Sequence, residues 1–288
     1  MPETTKPLWL LIAGVVLTDA VWLPASRLTL VASSLWAPAL AGAVAALLAW
    51  FYGTVRRDAR IASLTRSTAE LIAFTTGAGI LSYLMVTLNR PLLDEYLVAV
   101  DRATGLDWPA MHRWLDVHPV VNIVLGIFYI SMTIQIVVLL LVLNFRGQTG
   151  RSHELVWLFA LMGMGCVLFS GPWPTGGAFY HFKVEPVRDY VNVFTGLRDG
   201  TFDAIDLWQL QGVVQFPSFH TALAILYAYA SRGIPILFPL TIAINLMVIA
   251  ATPAIGGHHF VDLWGGAAIA FGAIMLVRRY RLAARTDG

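Results

Sequence analysis

The sequence predicts an all-α fold, a polytopic transmembrane helical bundle. Hydrophobic residues make up 58% of the chain and charged residues only 12%, and the mean hydropathy is +0.70. A soluble domain carries about 25% charged residues. Apolar runs of near-spanning length also recur along the 288 residues, the pattern of a helical membrane protein rather than of one buried core.

Eight spans are expected: roughly Leu8–Leu23, Leu35–Gly53, Ala69–Leu88, Val120–Leu143, Leu155–Phe169, Pro217–Ser231, Pro235–Thr252 and His258–Val277. Crossing about 30 Å of hydrocarbon takes about 20 residues, so the fifth and sixth are short. Lys6 ahead of the first run imitates a signal peptide, but no small-residue cleavage site follows, and a retained helix is expected. Eight crossings put the loops alternately on two sides. One side collects twelve of the 19 basic residues, among them Arg56, Arg57, Arg60, Arg146, Arg278 and Arg279. The positive-inside tendency places that side, with both termini, in the cytoplasm. The excess of Arg over Lys is the usage of a GC-rich bacterial source, hence a bacterial inner (plasma) membrane.

Residues Arg90–Trp114 mix acids with apolar residues at helical spacing and predict an interfacial amphipathic helix, with Trp108 and Trp114 at headgroup depth. Residues Gly171–Gln215 form the longest polar stretch. They open on a helix-breaking Gly-Pro-Trp-Pro-Thr-Gly-Gly run, and an extracytoplasmic lid loop is expected there. His181 and Tyr180 fall within it. There is no repeat or linker, so one domain is expected over residues 1–288. Asp19, inside the first span, is assigned an interfacial or structural role. The lone Cys166 excludes an intrachain disulfide, and the absence of a basic tract excludes a nucleic-acid partner.

The chemistry concentrates near the C-terminal end. Phe216-Pro217-Ser218-Phe219-His220 precedes one apolar helix and Gly256-Gly257-His258-His259-Phe260-Val261-Asp262 opens another, with His258 38 positions after His220. Pro217 suits a first helical turn. If His258 is helical, Asp262 lies one turn on along the same face, where its carboxylate can fix the imidazole tautomer. A helix N-terminus also favours a phosphate and disfavours an imidazolium. Adjacent histidines on a helix point apart, which argues against a zinc site and leaves His259 as packing. Gly265 and Gly266 read as close helix-packing positions.

These two motifs resemble those of the type 2 phosphatidic acid phosphatase superfamily. The wording His258-His259-Phe260-Val261-Asp262 and the Arg90-Pro91-Leu92-Leu93-Asp94 segment are more similar to its inositol phosphorylceramide synthase branch. The resemblance implies a six-helix catalytic core over roughly residues 70–280 and metal-independent, cofactor-free cleavage through a phosphohistidine. It implies His258 as nucleophile, Asp262 as its support, His220 as acid and then base, and Ser218 with nearby main-chain N–H groups on the phosphate. The substrate would be a lipid phosphate or phospholipid, with water or a lipid alcohol as acceptor. Two family elements are missing: Ala251-Thr252 stands where a Ser-Arg pair is usual, and Tyr83 where a Lys precedes Arg90-Pro91. The positive charge that phosphoryl transfer needs must come from Arg198, Lys183, Arg90 or Arg188, with Arg198 favoured for its Arg-Asp-Gly turn. The competing reading is a transporter or lipid scramblase that uses the His/Asp cluster for proton relay or head-group binding. Against it, the spans show no paired interrupted half-repeats.

Overall fold

The computed structural model describes residues 6–184 and 189–286, with side chains up to Arg279. Thirteen α-helices follow one another among them. They are α1 (Lys6–Ala25), α2 (Trp36–Thr54), α3 (Ala59–Val86), α4 (Asp94–Ala103), α5 (Trp108–Asp116), α6 (Pro119–Ile130) and α7 (Met132–Phe145). Then come α8 (Thr149–Ser170), α9 (Gly177–Phe182), α10 (Tyr190–Asp199), α11 (Phe219–Ser231), α12 (Leu237–Ile255) and α13 (Phe260–Thr286). The described strands are two residues each, β1 (Thr29–Leu30) and β2 (Ala204–Ile205), paired in parallel.

Among the described residues, six segments are long and apolar enough to cross a membrane: α1, residues Ala32–Thr54 with α2, α3, α8, α12 and Phe260–Arg279 of α13. The expected fourth span is instead two helices. The division falls at Ser131, which keeps helical backbone angles, donates its N–H to the Ile127 carbonyl at 3.1 Å and accepts the Gln135 N–H at 2.9 Å, and α7 follows from Met132. The expected fifth span is not short, since α8 runs for 22 residues, whereas α11, the expected sixth, has 13.

The chain divides into two compact units. The first comprises residues 1–90, 136–160 and 189–213. Within it α3 packs against both α1 and α2. Gly77 of α3 leaves room for Val15 and Asp19 of α1, and Asp19 is buried. Ser67, Asn144 and Ser152 tie α3, α7 and α8 together through a hydroxyl pair at 3.2 Å and an amide-to-hydroxyl bond at 2.8 Å. At the end of α10, Gly200 adopts φ +94° and Arg27 donates to the Leu197 carbonyl.

The second unit comprises residues 91–135, 161–188 and 214–288 and carries both histidine motifs. The segment expected as one amphipathic helix is two. Gly105, at φ +80°, ends the first part, and Asp107 caps α5 by accepting the Ala110 N–H at 3.0 Å. Trp108 is no headgroup anchor: it is 2% exposed, stacks with Phe182 and donates its indole N–H to the Pro253 carbonyl at 3.0 Å. Trp114 is half-exposed and stacks on His118. The expected lid holds two helices: α9 in the second unit, and α10 with β2 in the first. Tyr129, Leu125, Leu115, Ala251 and Ala254 form an apolar cluster joining α5, α6 and α12.

Candidate active site

Helix α11 starts at Phe219, with Ser218 as its N-cap: the Ser218 hydroxyl accepts the Thr221 N–H at 3.3 Å. Pro217 therefore precedes the helix rather than forming its first turn. His220 lies in that first turn, half-buried, with its ring stacked on Tyr129 at 4.2 Å and its Nδ1 3.2 Å from the Tyr129 hydroxyl.

The second motif departs from the expected helix. His258 and His259 lie outside any helix, and α13 begins at Phe260. Gly257 makes this possible at φ +68°, a conformation open to glycine. Asp262 still reaches back, with Oδ2 3.2 Å from His258 Nδ1 and accepting the His259 N–H at 2.8 Å. The latter bond is the reverse half of a capping box. A carboxylate only accepts, so a neutral His258 donates from Nδ1 and keeps the Nε2 lone pair for other use. Both side chains are buried, at 2% and 0% exposure.

The two motifs meet through their backbones. The Ser218 N–H donates to the Asp262 carbonyl at 3.0 Å. Gly265 and Gly266 lie against Phe216, Pro217 and Ser218, so they are close-packing positions. The His220 and His258 ring centroids come to 6.0 Å at an interplanar angle of 68°.

His259 is more than packing: it is fully buried, with Nε2 3.0 Å from Asp94 Oδ1. Burial alone would lower its pKa, but the Asp94 hydrogen bond and the charges of Asp262, Asp94 and Asp101 together raise it above the ordinary value. A histidine raised on folding stabilises fully below its unfolded pKa, about 6.5, and that contribution fades as pH rises through the folded value. The thermal midpoint of the wild type should therefore exceed that of His259→Gln at about pH 6 and lose this margin towards alkaline pH. A margin that grows with pH would mean an imidazole buried neutral.

A model of the PAP2 superfamily matches residues 95–276, well over half of the chain. The chain belongs to the PAP2 superfamily. No curated protein and no solved structure matches it. PAP2 membership carries a phosphatase- or phosphotransferase-type function, and with the six long apolar helices it makes this an integral membrane protein.

The candidate cations of this PAP2 protein fall in both units. Lys183, exposed, caps the C-terminal end of α9 in the left-handed conformation and belongs to the second unit. Arg198 and Arg90 belong to the first, where the Arg198 guanidinium donates to the Arg90 carbonyl at 3.0 Å. Arg188 lies outside the described residues. The main-chain donors expected for phosphate at α13 are already engaged: the Phe260 and Val261 N–H groups both donate to Asp101, each at 2.9 Å. Among the described residues no group of three His, Cys, Asp or Glu side chains is arranged to hold a metal ion. His181, whose pKa is lowered by burial and by the His259 charge, places its ring 6.0 Å from that of His259.

Tyr129, Asp94 and Asp101 were not legible as site residues, though the two acids left a signal. They lie seven apart, on one face with Leu97 and Val98, and all four are buried. Acids on the apolar face of a helix call for dedicated partners. Tyr129 stands in an apolar run and left none.

Proposed function

We propose that this protein is a lipid-phosphate phosphatase or head-group phosphotransferase that works through a phosphohistidine, without a metal, at the extracytoplasmic membrane surface. The observation that carries the reading is the imidazole pair: rings 6.0 Å apart, each with Nδ1 against a polar partner from its own unit. Such a pair suits a two-step displacement at one phosphorus atom.

In the first step His258 Nε2 attacks phosphorus, the bond to the leaving oxygen breaks, and His220 gives that oxygen a proton. In the second, His220 takes a proton from water or a lipid alcohol, whose oxygen attacks phosphorus and breaks the P–N bond. Asp262 supports the positive charge that develops on His258. Ser218, whose hydroxyl accepts from Thr221, keeps its own proton to donate to a phosphate oxygen. Lys183, Arg198 and Arg90 are the proposed sources of charge on the equatorial oxygens. The uneven distribution of arginines supports the orientation, with both termini cytoplasmic. The sequence likeness to inositol phosphorylceramide synthases supports transfer as well as hydrolysis.

The purified protein, incubated with labelled phosphatidic acid or a labelled phospholipid and excess EDTA, is expected to release phosphate. With diacylglycerol or ceramide added, a transferase forms a labelled product lipid instead. Loss of all turnover on chelation sinks the metal-independent reading. Movement of intact lipid without bond cleavage favours transport.

A further inference from the structure

Helix α4 sets two carboxylates against the segment that bears His258. Asp94 and Asp101 lie on its buried face, whereas Glu95, Tyr96 and Arg102 are exposed. A buried carboxylate is costly unless its oxygens are hydrogen-bonded, and here they are. Asp101 accepts the first two N–H groups of α13, from Phe260 and Val261. Asp94 accepts the Gly176 N–H on Oδ2 and the Gly177 N–H on Oδ1, each at 2.9 Å, and meets His259 Nε2 on Oδ1 at 3.0 Å.

One further bond closes a ring. Beyond Gly177, the Ala178 N–H donates to the Gly257 carbonyl at 2.6 Å. The path runs from Asp94 through the glycine turn to Gly257, along the chain past His258 to His259, and back to Asp94. The turn itself needs both glycines: Gly177 sits at φ +81°, and a Cβ on Gly176 would strike the Tyr180 ring. His258 is therefore flanked by two held residues, and its side chain is held separately by Asp262.

We propose that Asp94 is a positioning residue that locks the glycine turn opening α9 to the nucleophile segment, holding His258 for attack and setting α9 in register with it. Asp101 is the second support and anchors the start of α13. Only a carboxylate serves at position 94. Its two oxygens take three donors, whereas an asparagine turns an NH2 group towards a buried N–H and leaves it unpaired. The kinetic part of this inference rests on His258 being the nucleophile; the hydrogen-bond part does not.

The test uses the full chain in detergent, with labelled phosphatidic acid as substrate and amide hydrogen exchange read by mass spectrometry. Asp94→Asn is expected to lower kcat by about 10- to 100-fold with KM changed by less than about twofold, as a misplaced nucleophile does. Exchange should rise together in residues 176–182 and 257–261. Asp101→Asn should raise exchange at Phe260 and Val261 while leaving the glycine turn protected. Should Asp94→Asn not fold, His259→Phe and His259→Gln decide the matter. The phenylalanine breaks the ring at His259 and should loosen residues 257–261, while glutamine keeps an N–H for Asp94 and should not. Equal exchange in those two variants, or loosening of only one segment in Asp94→Asn, overturns the proposal. Full activity in His258→Ala would sink the nucleophile assignment alone, because the exchange pattern is read without turnover.

Discussion

Alanine in place of His258 is expected to remove turnover by at least about 10⁴-fold, the scale on which a covalent nucleophile contributes. The fold should survive, because Asp262 Oδ2 keeps the His259 N–H at 2.8 Å and the buried carboxylate is not stranded. His220→Asn makes the informative contrast. A general acid and base is worth about 10²- to 10⁴-fold. With an aryl phosphate, whose leaving group needs no proton, the first step should proceed in this variant and the second should stall. Quenching with alkaline denaturant should then trap an acid-labile, alkali-stable phosphoenzyme that accumulates in His220→Asn and is missing from His258→Ala. The same adduct recovered from His258→Ala would assign the nucleophile elsewhere.

Gly266→Ala is expected to be the most damaging single methyl group in the site. A Cβ there would collide with the Ser218 carbonyl oxygen and come within 3.0 Å of the Thr221 Cβ. Its neighbours are backbone and a β-branched side chain, so neither yields by a rotamer change. Relief requires α11 to move away from α13, and α11 carries His220 while α13 follows His258. Overpacking of this kind costs about 1–3 kcal/mol, which lowers the thermal midpoint by several degrees. The kinetic loss should be larger than the stability loss suggests, because a displacement of about 1 Å can cost about 10²-fold in rate. Gly272→Ala, where a Cβ meets nothing within 4 Å, is the control and should behave as wild type. Equal activity in the two variants would mean that the gap between the rings is not set by this contact.

The apolar runs by themselves determined that the chain is helical and membrane-embedded, since hydrocarbon admits few other ways to satisfy a backbone. Composition does not register a break of one residue, so it joined α6 to α7 across Ser131. The pairing of His258 with Asp262 was legible from spacing, yet for an incomplete reason: the histidine precedes the helix, and the carboxylate reaches back to it from the first turn of α13. The close approach of α13 to Ser218 was legible in Gly265 and Gly266, because only small residues permit backbone contact.

Other features depended on residues far apart in sequence. Spacing within one motif carries no information about a partner 91 residues away, such as Tyr129 for His220, or 165 residues away, such as Asp94 for His259. Helical reasoning set His259 aside as packing, because neighbouring positions on a helix diverge. Only the tertiary structure, with Gly257 turning the chain ahead of α13 and α4 delivering two buried acids there, decided that this histidine is clamped beside His258.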